Sequence, residues 1–231
     1  MKKIGLVGGI SWTSTIDYYK YINEGINEKL GGLNFAEMII YSLNYYNFQK
    51  NDLDNDFDAS FKLLFQAAQQ LKKSGAQAIV LGANTAHTVA QRLELAIGLP
   101  LIHIVDAVAM EINKKGFRKV GLLGTKLTME LPFYKDKLKA ENIEVLIPKQ
   151  KKDRAFIHET LTNELGKGII KEETKQRYIS IINEMINNGA EGIVLGCTEI
   201  PLLIDQKDVS VSVFNTTKIH AQAAVDFALD S

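Results

Sequence analysis

Residues 192–199 read Gly-Ile-Val-Leu-Gly-Cys-Thr-Glu, and residues 78–85 read Ala-Ile-Val-Leu-Gly-Ala-Asn-Thr. The two segments align 114 positions apart, and the alignment pairs Cys197, the single cysteine of the chain, with Ala83. A short apolar run that ends in a glycine turn is typical of a strand buried on both faces of a parallel sheet. In such sheets, ligands bind outside the carboxyl ends of the strands, where the residues after each run lie.

A second pair of segments favours an internal repeat. Residues 4–9 read Ile-Gly-Leu-Val-Gly-Gly, and residues 120–125 read Val-Gly-Leu-Leu-Gly-Thr, 116 positions later. One such pair would carry little weight, because buried strands that end in glycine resemble one another. Two pairs in the same order, with nearly equal offsets, indicate a duplicated α/β unit.

Apolar runs of strand length alternate with helical patterns along the whole chain. We expect strands near residues 4–7, 38–42, 78–81, 101–104, 119–123, 143–146, 192–195 and 211–214. Helical spacing is clear in Ile16, Tyr19, Ile22 and Ile26. This alternation predicts an α/β fold with parallel sheets between helices.

The natural break between the two halves is Leu99-Pro100. We therefore expect a first domain at residues 1–99 plus 208–231 and a second domain at residues 100–207. The final segment, residues 217–229, is expected to return to the first domain. The repeated glycine turns are expected to line one cleft between facing domains.

Composition limits the function classes. Of 231 residues, 46% are hydrophobic and 23% charged, as in ordinary globular proteins. The 27 Lys and Arg balance the 27 Asp and Glu, so no net field favours nucleic acid or an anionic membrane as a partner. The N-terminal apolar run is too short for a signal sequence, and no stretch approaches the roughly 18 apolar residues of a membrane span. A lone cysteine cannot form an internal disulfide, which favours a cytoplasmic protein.

Cys197 is the strongest candidate for chemistry. It follows a buried strand and precedes polar residues, an environment that is expected to expose the thiol and to lower its pKa through nearby N–H dipoles; the alternative is an inert buried cysteine. Glu199 either relays a proton for the thiol or caps the following helix. Asn84, Thr85 and Thr198 either hold a carboxylate or form turns and N-caps.

Other motifs indicate less. Residues 8–14 lack the spacing of a phosphate loop but leave room for a small anion, and Thr13 or Ser14 is expected to be an N-cap. The four histidines show no metal-ligand spacing, so no metal is expected. His87 either orients a site residue or is a structural histidine.

Residues 3–12, 82–87 and 196–199 together resemble the three signatures of the aspartate/glutamate racemase family. The resemblance spans the chain in order and includes residues 103–106 and 124–125. The chain is similar to the bacterial aspartate/glutamate racemases rather than to the glutamate racemases of cell-wall synthesis. The latter have histidine after the Cys-Thr pair, where this chain has Glu199.

The resemblance implies two Rossmann-like domains related by a pseudo-twofold axis, an active site in the cleft between them, a homodimer and no cofactor. It also implies that two thiols flank the Cα of a small-molecule acidic amino acid. One thiolate removes the Cα proton, and the other thiol returns a proton to the opposite face. A twofold repeat makes sense of this mechanism, because a planar carbanion needs an acid or base on each face.

Ala83 departs from the family, since most relatives have the first cysteine there and some have threonine. A positioned acid or base is worth roughly 10² to 10⁴ in rate, or about 2.7 to 5.4 kcal/mol. Three explanations are open. In the first, another group or water transfers the proton on the Ala83 face of the substrate, with Thr85 or Ser11 as a proton relay, and the rates for the two enantiomers are unequal. In the second, the enzyme needs an acid or base on one face only, as in arylmalonate decarboxylases. In the third, alanine is an introduced inactivating change. A binding protein that has lost catalysis is a further alternative.

The sequence thus predicts a cofactor-independent racemase of aspartate or glutamate. The expected catalytic positions are Cys197, Glu199, Thr85 and, as the site of the missing thiol, Ala83. Substrate contacts are expected from Gly9, Ile10, Ser11, Asn84, Thr85, Thr125 and Thr198. A second departure is Asn215, which stands where the family's closing pattern has aspartate.

Overall fold

The structure, a computed structural model, describes residues 1–230, and of Leu53 only the backbone. Within this range the strands form two four-stranded parallel sheets. The first sheet has the order β2-β1-β3-β4 and the second the order β6-β5-β7-β8. The strands are β1 (Ile4–Gly8), β2 (Met38–Ser42), β3 (Ala78–Leu81), β4 (Leu101–Ile102), β5 (Lys119–Gly124), β6 (Glu144–Leu146), β7 (Gly192–Gly196) and β8 (Ser212–Asn215).

The two sheets have the same topology, so the predicted duplication and the α/β class with parallel sheets are confirmed. Helices connect the strands: α1 (Trp12–Leu30), α2 (Tyr45–Asp54), α3 (Phe57–Lys73), α4 (Ala90–Ile97), α5 (Ile104–Lys114), α6 (Lys126–Glu130), α7 (Pro132–Ala140), α8 (Lys151–Asn163), α9 (Glu172–Asn187) and α10 (Thr216–Leu229). Short 3₁₀ turns lie at Thr85–Val89, Leu165–Lys167, Ile200–Leu202 and Gln206–Asp208. In the part of the chain described, no helix is long and apolar enough to cross a membrane.

The chain divides into two compact units. Unit 1 comprises Met1–Ile104 and the segment from Thr217 onward, and unit 2 comprises Val105–Thr216. In unit 1, one face of the sheet packs against α3 and α4, and the other face against α1 and α10. In unit 2, residues of β5 and β7 share a core cluster with α8 and α9.

The expected domain boundaries differ from those of the structure. Residues 100–104 were expected in the second domain, but Leu101 and Ile102 pair with β3 in unit 1. The carbonyl oxygen of Pro100 accepts a hydrogen bond from the Ile79 N–H at 2.9 Å, so this proline begins an edge strand instead of ending a domain. Likewise β8 pairs with β7 in unit 2, whereas residues 208–216 were expected in the first domain. The predicted return of the last helix to unit 1 agrees with the structure, since α10 packs against α1 and β1.

The predicted helix α1 is present, but its buried face is rotated from the predicted one. Ile22 and Ile26 are buried, whereas Ile16 and Tyr19 are exposed. Tyr18 takes their place in the core, because its hydroxyl has a buried partner on α10, described below.

Candidate active site

The turn after β1 is held in place by hydroxyl groups. Gly9 has a φ of 79°, and an added Cβ would lie 2.2 Å from the carbonyl oxygen of Leu43, so this position requires glycine. Thr15 Oγ1 accepts the Gly9 N–H at 2.8 Å. The Ser14 hydroxyl lies 2.9 Å from the Ser11 carbonyl oxygen and 3.2 Å from that of Gly82. Ser14 thereby ties the turn after β1 to the turn after β3.

The expected N-cap of α1 is wrong. The helix begins at Trp12, and Ser11 occupies the N-cap position without a side-chain capping bond. The Ser11 and Thr13 hydroxyl oxygens lie 2.6 Å apart, and the Ser14 hydroxyl is engaged with carbonyl groups. These contacts to a neighbouring hydroxyl and to backbone carbonyls replace the expected capping bonds from Thr13 or Ser14.

Ala83, Asn84 and Thr85 lie at the end of β3 and are buried. His87 fixes the first of them: its Nδ1 lies 2.9 Å from the Ala83 carbonyl oxygen, and its Nε2 lies 3.2 Å from the Ile104 nitrogen. A carbonyl only accepts and a backbone N–H only donates, so the ring is neutral with its proton on Nδ1. Burial, and then the neighbouring His103 and His220, lower the pKa of His87 well below its ordinary value. His87 is therefore a structural histidine that holds the Ala83 backbone.

His220, on α10, completes a histidine cluster that the sequence did not indicate. Its Nδ1 accepts the Tyr18 hydroxyl at 2.7 Å, and its Nε2–H donates to the Ile102 carbonyl at 2.6 Å. The His87 ring lies with its centroid 4.7 Å from that of His103 and 5.4 Å from that of His220. Burial lowers the pKa of His220 to about 4, against the weaker effect of the Ile102 carbonyl.

Asp52 is a site candidate that sequence reasoning missed. It lies on α2, and its carboxyl group is close enough to the Thr85 side chain for that side chain to lower the pKa of Asp52. Its Oδ1 is buried and has no hydrogen-bond partner. Burial raises the pKa of Asp52 to about 7, although the Thr85 side chain acts in the opposite direction. The available signal was its spacing of four residues from Phe48, which puts an acid on the same helix face as a buried phenylalanine.

Cys197 and Glu199 are in direct contact at the end of β7. The Cys197 thiol donates to Glu199 Oε2 at 2.9 Å, and the Thr198 hydroxyl donates to the same oxygen at 2.8 Å. Glu199 thus accepts hydrogen bonds from the side chains of Cys197 and Thr198. It makes no side-chain capping bond to the following 3₁₀ turn. Of the two alternatives left open for Glu199, the side-chain cap is therefore not formed.

The expected lowering of the thiol pKa is wrong. Burial raises the pKa of Cys197 well above its ordinary value, and the charge of Glu199 and its hydrogen bond raise it further. The backbone N–H groups of Thr198 and Glu199 do act to lower the pKa of Cys197, as expected, but they are outweighed. Cys197 is therefore a thiol in the resting protein.

Thr125 directly follows β5, the strand next to the one that precedes Cys197. The register pairs Gly124 of β5 with Gly196 of β7, so the residues that follow lie at the same edge of the second sheet. Thr125 Oγ1 caps α6 by accepting the Thr128 N–H at 3.3 Å. Thr125, expected as a substrate contact, is thus also the N-cap of α6.

Each unit gathers its share of the predicted residues at the carboxyl edge of its own sheet. In unit 1 these are Gly9, Ile10, Ser11, Ala83, Asn84 and Thr85, and in unit 2 Thr125, Cys197, Thr198 and Glu199. Two of the predicted carboxylate ligands already have a carboxylate neighbour within the protein, since Thr85 lies beside Asp52 and the Thr198 hydroxyl donates to Glu199. Among the described residues, no group of three or more His, Cys, Asp or Glu side chains is arranged to hold a metal ion.

Known proteins share this architecture and sequence. A protein from Yersinia pestis assigned as an Asp/Glu racemase is 44% identical, with all of both chains covered and a TM-score of 0.93. An aspartate racemase homologue from Pyrococcus horikoshii is 39% identical over 99% of both chains, with a TM-score of 0.85. The broad specificity amino-acid racemase RacX of Bacillus subtilis is 25% identical over 96% of both chains.

The match to a family profile covers nearly the whole chain. The profile of the Asp/Glu/Hydantoin racemase family matches residues 7–224, a range that includes both sheet edges described above. The resemblance inferred from the three sequence signatures is thereby confirmed. The chain belongs to the Asp/Glu/Hydantoin racemase family.

Proposed function

We propose that this protein interconverts the enantiomers of aspartate or glutamate, with Cys197 as the acid/base on one face of the substrate Cα. The observation that carries the proposal is the hydrogen bond of 2.9 Å from the Cys197 thiol to Glu199 Oε2. It gives the thiol a proton acceptor within direct reach, which a buried structural cysteine does not need. The racemases of this family are isomerases that work without pyridoxal phosphate, and the names of the Yersinia and Pyrococcus relatives support an acidic substrate.

Cys197 is ready to act as an acid. Because its pKa is raised, the resting side chain carries the proton that a planar carbanion requires. When Sγ–H gives this proton to Cα, the resulting thiolate accepts hydrogen bonds from the Thr198 and Glu199 N–H groups. These two N–H groups limit the cost of forming a negative charge on a buried sulfur.

In the reverse direction Cys197 has to act as a base. Its proton first moves to Glu199 Oε2, and the thiolate then removes the Cα proton of the bound enantiomer. The Thr198 hydroxyl keeps Glu199 in place for this transfer. Thr198 therefore acts as a positioning residue in this proposal, rather than as the carboxylate ligand that the sequence suggested.

The substrate carboxylates are proposed to bind polar groups at the carboxyl ends of strands. The candidates are the Asn84 side chain, the backbone of Gly9, Ile10 and Ser11, and the groups around Thr125. Backbone N–H groups at strand ends suit carboxylates, because they are donors with fixed orientation. The resemblance further supports a homodimer, which size-exclusion chromatography with light scattering would test.

Incubation with each enantiomer of aspartate and glutamate in D₂O tests the proposal. Proton NMR follows the loss of the Cα proton, and chiral chromatography follows inversion. We expect exchange with inversion for aspartate, glutamate or both. Binding of these amino acids without any exchange would contradict the racemase proposal and favour a binding protein.

Ala83 motivates a second candidate function. Its methyl group provides no acid or base at the position where the repeat predicts the first thiol. An enzyme that protonates one face only, like a decarboxylase that uses a single cysteine, would show exchange with retention in the same experiment. Inversion would exclude this alternative, because it needs proton transfer on both faces.

A further inference from the structure

We propose that Asp52, acting through the Thr85 hydroxyl, is the acid/base that serves the substrate face left without a thiol at Ala83. The inference rests on the proposed racemase function and names the second proton-transfer group of that reaction. Chemically, a carboxyl–hydroxyl pair would replace the missing thiol.

The packing of α2 places Asp52 at the relevant end of the first sheet. Phe48 and Asp52 lie four residues apart and therefore on one face of the helix. Phe48 is fully buried in the same core cluster as Ile10 and Ala83, the residues that follow β1 and β3. The Asp52 carboxyl group neighbours the side chain of Thr85, which lies only two residues beyond Ala83. The carboxyl group thus lies next to the position where the family has its first cysteine.

The surroundings of Asp52 leave it able to exchange a proton. Its Oδ1 is buried without a hydrogen-bond partner, and the Thr85 side chain is a polar neighbour that lowers its pKa. A carboxylate with a buried, unpaired oxygen is costly to maintain, and such groups occur at sites where proton transfer is needed.

The surrounding charges leave the pKa of Asp52 under the control of burial. On α3, Asp56 caps the helix by accepting the Ala59 N–H at 2.9 Å, and Asp58 pairs with Arg92. In the 3₁₀ turn that carries Thr85, His87 is neutral. Burial and the Thr85 side chain are the two influences on the pKa of Asp52, which is about 7, and a group with this pKa is a suitable general acid and base at neutral pH.

The proton balance of the reaction follows directly. In one direction the Thr85 oxygen takes the Cα proton while its own proton moves to Asp52 Oδ2, and the Cys197 thiol gives its proton to the opposite face of Cα. The protein then holds protonated Asp52 and a Cys197 thiolate. In the other direction the thiolate removes the Cα proton, and protonated Asp52 returns a proton through Thr85. Either state resets by proton exchange with water.

The two enantiomers have equal free energies, so kcat/KM must be equal for them however efficient proton transfer through Asp52 is. The unequal rates for the two enantiomers that the sequence predicts therefore concern kcat and KM taken separately. The efficiency of each face is measured instead by isotope exchange, because a working Cys197 face can exchange the Cα proton without inversion.

The test compares Asp52→Asn with the wild-type protein in D₂O. We expect Asp52→Asn to lower inversion by at least roughly 100-fold, while exchange with retention persists at the Cys197 face. Adding Ala83→Cys to Asp52→Asn should restore inversion at least roughly tenfold, because the new thiol serves the same face. Asp54→Asn, on the exposed part of the same helix, is the matched control and should leave inversion unchanged.

A pH profile separates proton transfer from a merely structural role. The wild-type kcat/KM should show a titration near pH 7 that is absent in Asp52→Asn and present in Asp54→Asn. Should Asp52→Asn fail to fold, Thr85→Val removes the relay instead and is expected to give the same loss of inversion with exchange retained.

Inversion at the wild-type rate in Asp52→Asn, or no rescue by Ala83→Cys in the folded double variant, would overturn the assignment of Asp52 alone. Absence of any exchange in the wild-type protein would overturn the racemase proposal and this inference with it. The two failures are therefore distinguishable.

Discussion

Protonation of His220 is expected to make unit 1 sensitive to acid. The ring is buried, its Nδ1 accepts the Tyr18 hydroxyl, and its Nε2–H donates to the Ile102 carbonyl. A proton added to Nδ1 would remove the acceptor and place a charge in the core. The pKa of His220 is accordingly lowered in the folded state, from 6.5 to about 4. Between these values the unfolded chain binds the proton and the folded protein does not.

The sign and size of the effect follow from linkage. Because the unfolded state binds more protons, stability rises with pH through this window and falls as the pH drops from about 6.5 towards 4. At 1.36 kcal/mol per pH unit, the free energy of unfolding should fall by about 3 kcal/mol from pH 7 to pH 4 on account of His220 alone. His87 acts in the same direction, since its pKa is also lowered by burial.

Urea unfolding between pH 4 and pH 8, followed by Trp12 fluorescence, measures this loss. Trp12 is the only tryptophan, and it lies on α1, the helix that carries Tyr18. His220→Gln should flatten the dependence by about 3 kcal/mol, since glutamine does not titrate. His158→Gln, a control in unit 2, should retain most of it. An unchanged slope in His220→Gln would refute the argument that this buried ring controls acid stability.

Two further predictions concern the strand ends. Gly9→Ala should destabilise unit 1 by about 1 to 3 kcal/mol, because the φ of Gly9 is 79° and the added Cβ would meet the Leu43 carbonyl oxygen. Urea unfolding measures this loss of stability. An unchanged unfolding midpoint would contradict the geometry of the turn. Glu199→Gln should lower the pKa of Cys197, since it removes a negative charge and a hydrogen-bond acceptor that favour the thiol. The rate of iodoacetamide alkylation against pH reports this pKa without interference, because the chain has one cysteine. A pKa that stays the same or rises would show that Glu199 does not control the thiol.

The fold could be predicted from the sequence because its strands are buried on both faces. Continuous apolar runs that end in glycine, such as Gly192–Gly196, give a signal that needs no tertiary information. The edge strands are weaker: β4 has two residues, and the proline before it was interpreted as the boundary between the domains. Pairing across the sheet, rather than local composition, decides to which unit an edge strand belongs.

The site could be predicted only in part. The strand-end rule located Cys197 and Ala83, since it depends on chain order alone. Asp52 was missed because its contact with Thr85 joins segments 33 positions apart, and α2 has no strong apolar pattern. The direction of the thiol pKa was also missed, because it depends on where the Glu199 side chain points. Local sequence does not determine such side-chain contacts.

The proposed racemisation depends most directly on Cys197 as an acid/base. The decisive measurement is the rate of racemisation and of Cα deuterium incorporation in D₂O, compared between the wild-type protein and Cys197→Ser for the enantiomers of aspartate and glutamate. We predict that Cys197→Ser loses racemisation by at least roughly 100-fold while its urea midpoint is retained, because a serine hydroxyl is a far weaker acid than a thiol. The deuterium incorporation that remains should proceed with retention, at the face opposite Cys197. Racemisation at the wild-type rate in Cys197→Ser would contradict the account.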